Sequence, residues 1–192
     1  MFKIVLYILL CIKYIPFISI FIMNRNPLIK EDIDHYSMHF KFRINYCFTL
    51  CYLLEKIPEF RDVFYFRYPR IKFLKYIYKG VHNLYFFLDR KSIGGGLLIW
   101  HGFSTVVNAI SLGKDCEIWQ NVTIGKKTTK NISDKPTIGN NVKICANSVV
   151  IGQIKIGNNV TIGAGAVVTK DIPDNSVVIG NPAKIIKRNV IE

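Results

Sequence analysis

The sequence predicts a mainly β protein: a parallel β-helix solenoid of hexapeptide repeats, preceded by a small α-helical N-terminal region. Three observations carry this. Aliphatic residues recur every six places, at Val106, Leu112, Ile118 and Ile124, and again at Ile138, Ile144, Val150, Ile156, Ile162 and Val168. Four places after most of them stands a second residue, usually small or aliphatic: Ile110, Cys116 and Val122, then Val142, Ser148, Ile154, Val160, Ala166 and Ile172. Glycines follow the first position at Gly113, Gly125, Gly139, Gly157 and Gly163, and Asn pairs stand at Asn140-Asn141 and Asn158-Asn159. A period of six is neither that of a helix nor that of an alternating strand. It marks a solenoid. Each unit is one short strand and one corner, and the corner needs residues that tolerate left-handed backbone, hence Gly and Asn. Three units make a coil of about 18 residues, and a lone coil cannot bury its inner face, so coils stack. Ten first positions without a polar residue argue against a β-sandwich with accidental spacing.

Taken in order, the chain has three parts. Residues 1–23 (MFKIVLYILLCIKYIPFISIFIM) are strongly apolar, with Lys13 in mid-stretch and Pro16 after it. A central Lys costs about 2.5–3.5 kcal/mol on insertion, which the surrounding Leu, Ile and Phe can offset. A membrane-associating segment and an over-read start ahead of Met23 both remain open. A cleaved signal peptide is disfavoured, because no small-x-small site follows.

Residues 24–90 are an aromatic-rich helical region. Of the 25 aromatics in the chain, 22 lie before Lys91, so this part packs on rings rather than on aliphatic stacks. Asp32 is placed to cap a helix from about Ile33 to Leu54, with Tyr36, Phe40, Ile44, Cys47, Phe48, Cys51 and Tyr52 at helical spacing. Pro58 interrupts, and two further helices are expected around Pro69. The mixture of aromatics with Arg and Lys fits first a helical cap whose aromatics pack on each other and on the end of the solenoid; a basic-aromatic surface that touches headgroups or a lipid-linked substrate is the second reading, and the two can coexist.

Residues 91–192 form the solenoid domain. The glycine triplet Gly94–Gly96 marks a turn or close backbone approach. Ile124 and Ile138 are 14 apart, two more than a multiple of six. Residues 126–136 (KKTTKNISDKP) are therefore a polar loop thrown out of the coils, and loops on rigid scaffolds often carry function. The chain leaves the solenoid through Gly180 and Pro182.

Composition bounds the function. The formal charge is +13 from 26 basic and 13 acidic residues, with +8 in residues 1–99 and +5 in the remainder. Anionic ligands or an anionic membrane are favoured partners. Nucleic acid is not expected, because the charge is spread along the chain and no nucleic-acid motif is present. Cys11, Cys47, Cys51, Cys116 and Cys145 make no CxxC pair and read as reduced thiols of a cytoplasmic protein, in contact with the inner face of the membrane if the N-terminal region binds there. No metal site is expected: His35 and His39 are four apart on one helix, and read as polar helix positions. There is no phosphate-binding glycine loop of the nucleotide type.

The hexad repeat with its loop, the run IGAGAVVTKDIP from Ile162 to Pro173 and the ending IGNPAKII together resemble the hexapeptide-repeat acyltransferases, whose solenoid is a left-handed parallel β-helix. Within them the serine acetyltransferase-like branch is the nearer match, with a His just before the first regular coils, then a stretch similar to IWQNVTIG, then the loop. The stretch EFRDVFYFRYPR is similar to short members from surface-polysaccharide gene sets. The resemblance covers residues from about 92 to 188. It implies transfer of an acetyl group from acetyl-CoA to a hydroxyl, with no metal, in a homotrimer whose sites lie between neighbouring solenoids. His101 matches the general base, a role that suits an imidazole near neutral pH. Gly125 and Lys126 match the source of an oxyanion donor. Ala146, Ala164 and Lys184 match the CoA site, with Lys126, Lys127 and Lys130 as further phosphate candidates. Two departures bear on the acceptor. The family Asp fifteen places before the His is Phe86 here, with Asp89 out of register, and the Asp directly before the His is Trp100. The second family His is Lys135. Free serine is therefore disfavoured, and a sugar hydroxyl of a capsule or O-antigen fits better. Trp100 and Lys135 are candidate acceptor contacts, with Phe103 and Trp119 as apolar faces for a sugar ring. Serine O-acetylation and a non-catalytic trimeric solenoid are the alternatives.

Overall fold

The computed structural model describes residues 2–41, 45–81, 83–128 and 134–188, with side chains from residue 8 to 186. The C-terminal half is a parallel β-helix with three faces. The first face carries β1 (Leu84–Phe86), β3 (Thr105–Val107), β6 (Thr123–Gly125), β9 (Val149–Ile151) and β12 (Val167–Val168), all parallel. The second carries β4 (Ser111–Leu112), β7 (Thr137–Ile138) and β10 (Lys155–Ile156). The third carries β2 (Leu98–Ile99), β5 (Glu117–Ile118), β8 (Lys143–Ile144), β11 (Thr161–Ile162) and β13 (Ser176–Ile179), closed by the antiparallel β14 (Lys184–Arg188).

The hexad residues stack as expected. Ile99, Ile118, Ile144, Ile162 and Val178 form one buried rank, and Leu112, Ile138 and Ile156 another. Burying each such side chain contributes about 1.5–3 kcal/mol. In the first coil the register differs from the count. Val107, not Val106, pairs with Ile124 and points inward, and Ala109 is buried while Ile110 is exposed. The corner between Val107 and Leu112 is one residue short, so counting back in sixes from Leu112 overshoots. Among the described residues, left-handed backbone falls at Asn121, Asn141, Asn147 and Asn159, where the corners need it.

The helical part has α1 (Phe2–Lys13), α2 (Ile15–Asn24), α3 (Pro27–His39), α4 (Tyr46–Lys56) and α5 (Pro58–Arg67), then a 3-10 segment Pro69–Tyr76. The helix expected from Ile33 to Leu54 is two helices, with Lys41 in left-handed backbone between them. Ile44 lies outside the described residues. Asp32 is not a cap. Asn26 caps α3, accepting from the Leu28 amide, with Pro27 in the first turn. Asp32 sits in mid-helix on the buried face, where its carboxylate meets Arg67 at 2.9 Å. Of the two helices expected around Pro69, the first is α5 and the second is the 3-10 segment. The apolar first 23 residues form α1 and part of α2, broken near Tyr14, and no helix among the described residues is long and apolar enough to cross a membrane.

The helices lie over the open edge of β2. That edge would leave amides unpaired. Asp32 accepts the Leu97 amide at 2.8 Å, and the Tyr36 hydroxyl accepts the Ile99 amide at 3.0 Å. Leu98 turns outward into the helical core while Ile99 turns into the solenoid. A ring nitrogen of His35 donates to the Gly96 carbonyl at 2.5 Å. The glycine triplet is thus clamped from above. At Gly95 a Cβ would run into Glu31, and at Gly96, in left-handed backbone, into Asp115. This clamp fixes the chain immediately ahead of His101.

Candidate active site

His101 stands on a two-residue insertion at a corner of the first coil. From Ile118 to Ile124, Ile144 to Val150 and Ile162 to Val168 the chain takes six steps, but from Ile99 to Val107 it takes eight. The pairing locates the excess. Ile99 pairs with Ile118, so Trp100 lies over Trp119, while Val107 pairs with Ile124 and the Asn121 amide donates to the Phe103 carbonyl. Phe103 therefore stands over Gln120, and His101-Gly102 are the extra pair. Two tight turns hold them: the Gly102 amide donates to Trp100 O at 2.7 Å and the Phe103 amide to His101 O at 2.6 Å. Both residues take left-handed backbone. A Cβ on Gly102 would press on Ile99, which keeps that position small. The effect is to throw the imidazole outward: His101 is exposed, and among the described residues its ring makes no hydrogen bond. Phe86, at the place of the family Asp, packs on Phe66 with ring centroids 4.6 Å apart. Asp89 caps a 3-10 turn through the Lys91 amide at 2.8 Å. Neither side chain is assigned a bond to His101.

Below Phe103, the same corner runs through Gln120, Ala146 and Ala164 in successive coils, tied by Asn147 N to Gln120 O at 3.1 Å and Gly165 N to Ala146 O at 2.9 Å. Coil spacing is about 4.8 Å, so this is a narrow wall with small side chains at its lower end. At Gly165 a Cβ would meet nothing within 4 Å. Lys184 pairs with Ile179, which stands under Gly163, so it lies two strands below Gly163 at the foot of this corner and is exposed. The structure thus brings His101, Ala146, Ala164 and Lys184 onto one edge. Gln120, in the quoted stretch IWQNVTIG but not singled out from sequence, belongs to that edge too. Its Oε1 is buried and has no partner among the described residues, as is Asn108 Oδ1 one coil above Gly125. Asn108 stands at the far end of the face; the orphaned Gln120 acceptor is on this wall, and fits a ligand that brings N–H groups, such as the amides of a pantetheine arm. The only advance signal was a polar residue interrupting a small-residue column.

Gly125 and Lys126 are not brought to His101 within one chain. They end β6, whereas His101 precedes β3, so the two lie at opposite ends of one face. The loop leaves there, and Asp134 anchors its return by accepting from the Thr128 amide at 2.8 Å and the Gln153 amide at 2.9 Å. These amides, among others, outweigh desolvation and hold the Asp134 carboxyl below its ordinary range. Lys127 is exposed; Lys130 lies outside the described residues. A Cβ at Gly125 would meet nothing within 4 Å, although the residue is buried.

Trp100 and Lys135 are also apart. Lys135 lines a shallow cleft with Phe86, Asp89 and Ile110. Trp100 is half-buried between His39 and Trp119, at centroid distances of 4.7 and 5.9 Å, and its indole N–H donates to Glu117 at 2.9 Å. Lys143 holds the other Glu117 oxygen at 2.9 Å. Burial pushes the Glu117 carboxyl up, but these two donors outweigh it and hold it below its ordinary value. His35, His39 and Glu117 bring ligand atoms within 4.8 Å of one another. With Lys143 and Trp100 both on Glu117, that cluster already has its counter-charge. Trp100 is thus packed among His39, Phe40 and Trp119, with its indole N–H held by Glu117.

Residues 135–170 match the family model described as bacterial transferase hexapeptide (six repeats). The serine acetyltransferase of Synechococcus elongatus is 40% identical over 98 residues, 50% of this chain and 40% of that protein. The putative colanic acid biosynthesis acetyltransferase WcaB of Escherichia coli K12 is 42% identical over 95 residues, 49% of this chain and 58% of that protein. The chain thus spans well under two thirds of either relative. Among solved structures, the serine acetyltransferase of Neisseria gonorrhoeae in complex with serine superposes with a TM-score of 0.61 at 26% identity, over 84% of this chain and 68% of that one.

Proposed function

We propose, from a hexapeptide-repeat β-helix similar to those of named acetyltransferases, that this protein moves an acetyl group from acetyl-CoA to a hydroxyl of a surface-polysaccharide sugar or its precursor. The observation that carries the reading is the two-residue insertion that turns His101 outward at the head of the Gln120–Ala146–Ala164 wall. Acetyl-CoA supplies the acyl group as a thioester. His101 takes the proton of the acceptor hydroxyl as its oxygen bonds to the acyl carbon. The carbon–sulfur bond breaks, and the proton passes from the imidazolium to the departing thiolate. A backbone N–H at Gly125-Lys126 of a neighbouring copy is the candidate donor to the carbonyl oxygen that gains charge. One chain sets these groups at opposite ends of a face, so the reading requires a trimer with sites between solenoids. Ala146 and Ala164 leave room for the pantetheine arm, Gln120 accepts from its amides, and Lys184 meets a phosphate.

A sugar acceptor is favoured over free serine by the departures from the family's residue set and by an apolar face beside His101. Phe86 and Lys135 replace the acidic and imidazole groups expected for an amino-acid substrate, and Phe103, half exposed above the wall, offers an apolar face. The test is thiol release from acetyl-CoA with free serine and, in parallel, with a panel of sugars and oligosaccharides. Release driven by a sugar and abolished in His101→Ala supports the reading. Release driven by serine overturns the acceptor, and release unchanged in His101→Ala overturns the base.

A further inference from the structure

Between the end of α2 and the start of the 3-10 segment is a cleft that the transfer reaction does not use. It is lined by the exposed Arg25, Arg70, Arg90 and Met23 and by the buried Tyr68 and Ile71. No carboxylate lines it. Arg67, which also lines the cleft, is already paired with Asp32 at 2.9 Å. The Tyr68 side chain is 9% exposed, and its hydroxyl has no hydrogen-bond partner among the described residues. The Asn26 backbone N–H approaches it without closing one. An orphaned buried hydroxyl costs free energy unless something completes it. Three guanidinium groups around such a donor select a planar or tetrahedral oxyanion, with Arg giving the paired geometry that phosphate accepts.

The surroundings indicate how that anion arrives. Met23, at the cleft, is 80% exposed, and Ile22 beside it is exposed as well. From Ile71 at the cleft the chain passes through the 3-10 segment and on to Tyr78, which packs on Tyr14 and Phe17 at the start of α2 and whose hydroxyl donates to Lys13 O at 2.9 Å. Along this stretch Phe73, Tyr76 and Ile77 are 63, 88 and 72% exposed, interleaved with Lys72 and Lys79 and with Lys75, which is paired with Asp62 at 2.6 Å. Bulky apolar tips between cations are the composition of a surface that lies in a headgroup layer. A second copy of the chain fits this face poorly, because pairing would set lysine and arginine against lysine and arginine.

We propose that the cleft is a binding site for the phosphate group of an anionic lipid, seated while Met23, Phe73, Tyr76 and Ile77 enter the lipid surface. The arginines pair with the phosphate oxygens, and the Tyr68 hydroxyl donates to one of them. The site is independent of acetyl transfer and lies on the helical part of the molecule.

The experiment is co-sedimentation of the full chain with phosphatidylcholine vesicles, with and without phosphatidylglycerol, beside titration with inorganic phosphate and glycerol phosphate. Binding is expected only to the anionic vesicles. Arg25→Gln with Arg70→Gln should lower it roughly tenfold or more, since each cation near such a surface contributes about 1 kcal/mol. Phe73→Ser with Ile77→Ser should lower it comparably. Tyr68→Phe should weaken binding while leaving the melting temperature unchanged or higher, because it removes an unsatisfied hydroxyl. A purely structural Tyr68 would give the opposite stability change. Failure to bind either vesicle, or binding indifferent to the arginine pair, overturns the proposal. So does saturable binding of inorganic phosphate without vesicle binding, which would make the site one for a free anion. Concentration-dependent self-association abolished by the Phe73 and Ile77 changes would assign the face to a second copy instead.

Discussion

Asp32 and Arg67 form a bidentate ion pair shut off from solvent, with Nε to Oδ2 at 2.9 Å and Nη2 to Oδ1 at 3.0 Å and side chains 0 and 1% exposed. The remaining donors of Arg67 reach the carbonyls of Ile93 and Gly94 at 2.9 and 2.6 Å, and Asp32 also takes the Leu97 amide. One pair thus joins α3, α5 and the glycine junction that leads to His101.

Asp32→Asn should cost about 3–5 kcal/mol, because it strands the Arg67 charge in a buried place. The double change Asp32→Leu with Arg67→Met should recover much of that loss, since neither partner is then left unpaired. Urea midpoints of the three proteins check this. A single change as mild as an exposed pair, below about 1 kcal/mol, would mean that water reaches the pair.

The Glu117 carboxyl gives a pH dependence with a definite sign. Its folded-state value is lowered, net of burial, by Lys143 and Trp100. The stability it contributes is therefore full above the unfolded carboxyl value, about 4.3, and is lost as pH falls through the lower folded value. Trp100 and Trp119 are the chain's two tryptophans and both sit in this cluster, so their fluorescence follows it directly. Unfolding midpoints read by tryptophan emission should fall below about pH 4.5 in the native chain and show a flatter fall in Glu117→Gln.

The insertion at His101-Gly102 separates fold from activity. Deleting the two residues returns the corner to six steps, the number used in the three coils below. The coils should still stack, and the melting temperature should change by only a few degrees for an effect of about 1 kcal/mol. Acetyl transfer should disappear in the deletion, and in His101→Ala it should fall by about 100- to 10,000-fold, the usual range for a lost general base. A deletion that keeps turnover would remove the corner from the mechanism.

The solenoid was legible because its core repeats one requirement at every coil, and Ile118, Ile144 and Ile162 meet it identically. Phase was not legible where the corners change length. The corner after Val107 is one residue short, so Val106 kept the beat while Val107 took the core, and the two-residue insertion at His101 shifts the count again. Asp32 misled for a different reason: an acidic residue before an apolar stretch reads as a cap, and only tertiary placement of Arg67, 35 positions on, shows it as a buried partner. The break after His39 had no proline or glycine to announce it. His101, Ala146, Ala164 and Lys184 were found through the family resemblance, and the register then explains why they share an edge. Gln120 and Asn108 carried no sequence signal beyond polarity, because being orphaned is a property of packing.

The proposed CoA role of the Gln120–Ala146–Ala164 wall can be tested without touching His101. Ala164 is exposed at the lower end of the wall, next to the open space at Gly165, so a large side chain there does not disturb the core. Ala164→Trp should therefore fold normally. If the pantetheine arm lies along the Gln120–Ala146–Ala164 corner, the indole covers its path. KM for acetyl-CoA should then rise by about tenfold or more, the effect of losing roughly 1.4 kcal/mol of binding, while kcat at saturation changes little, because ground and transition states lose the same contact. Lys184→Gln should raise the same KM by a smaller factor that shrinks further at high salt, as expected for an exposed charge on a phosphate. A fall in kcat with KM unchanged would move Ala164 away from the donor and toward the acceptor or the trimer interface.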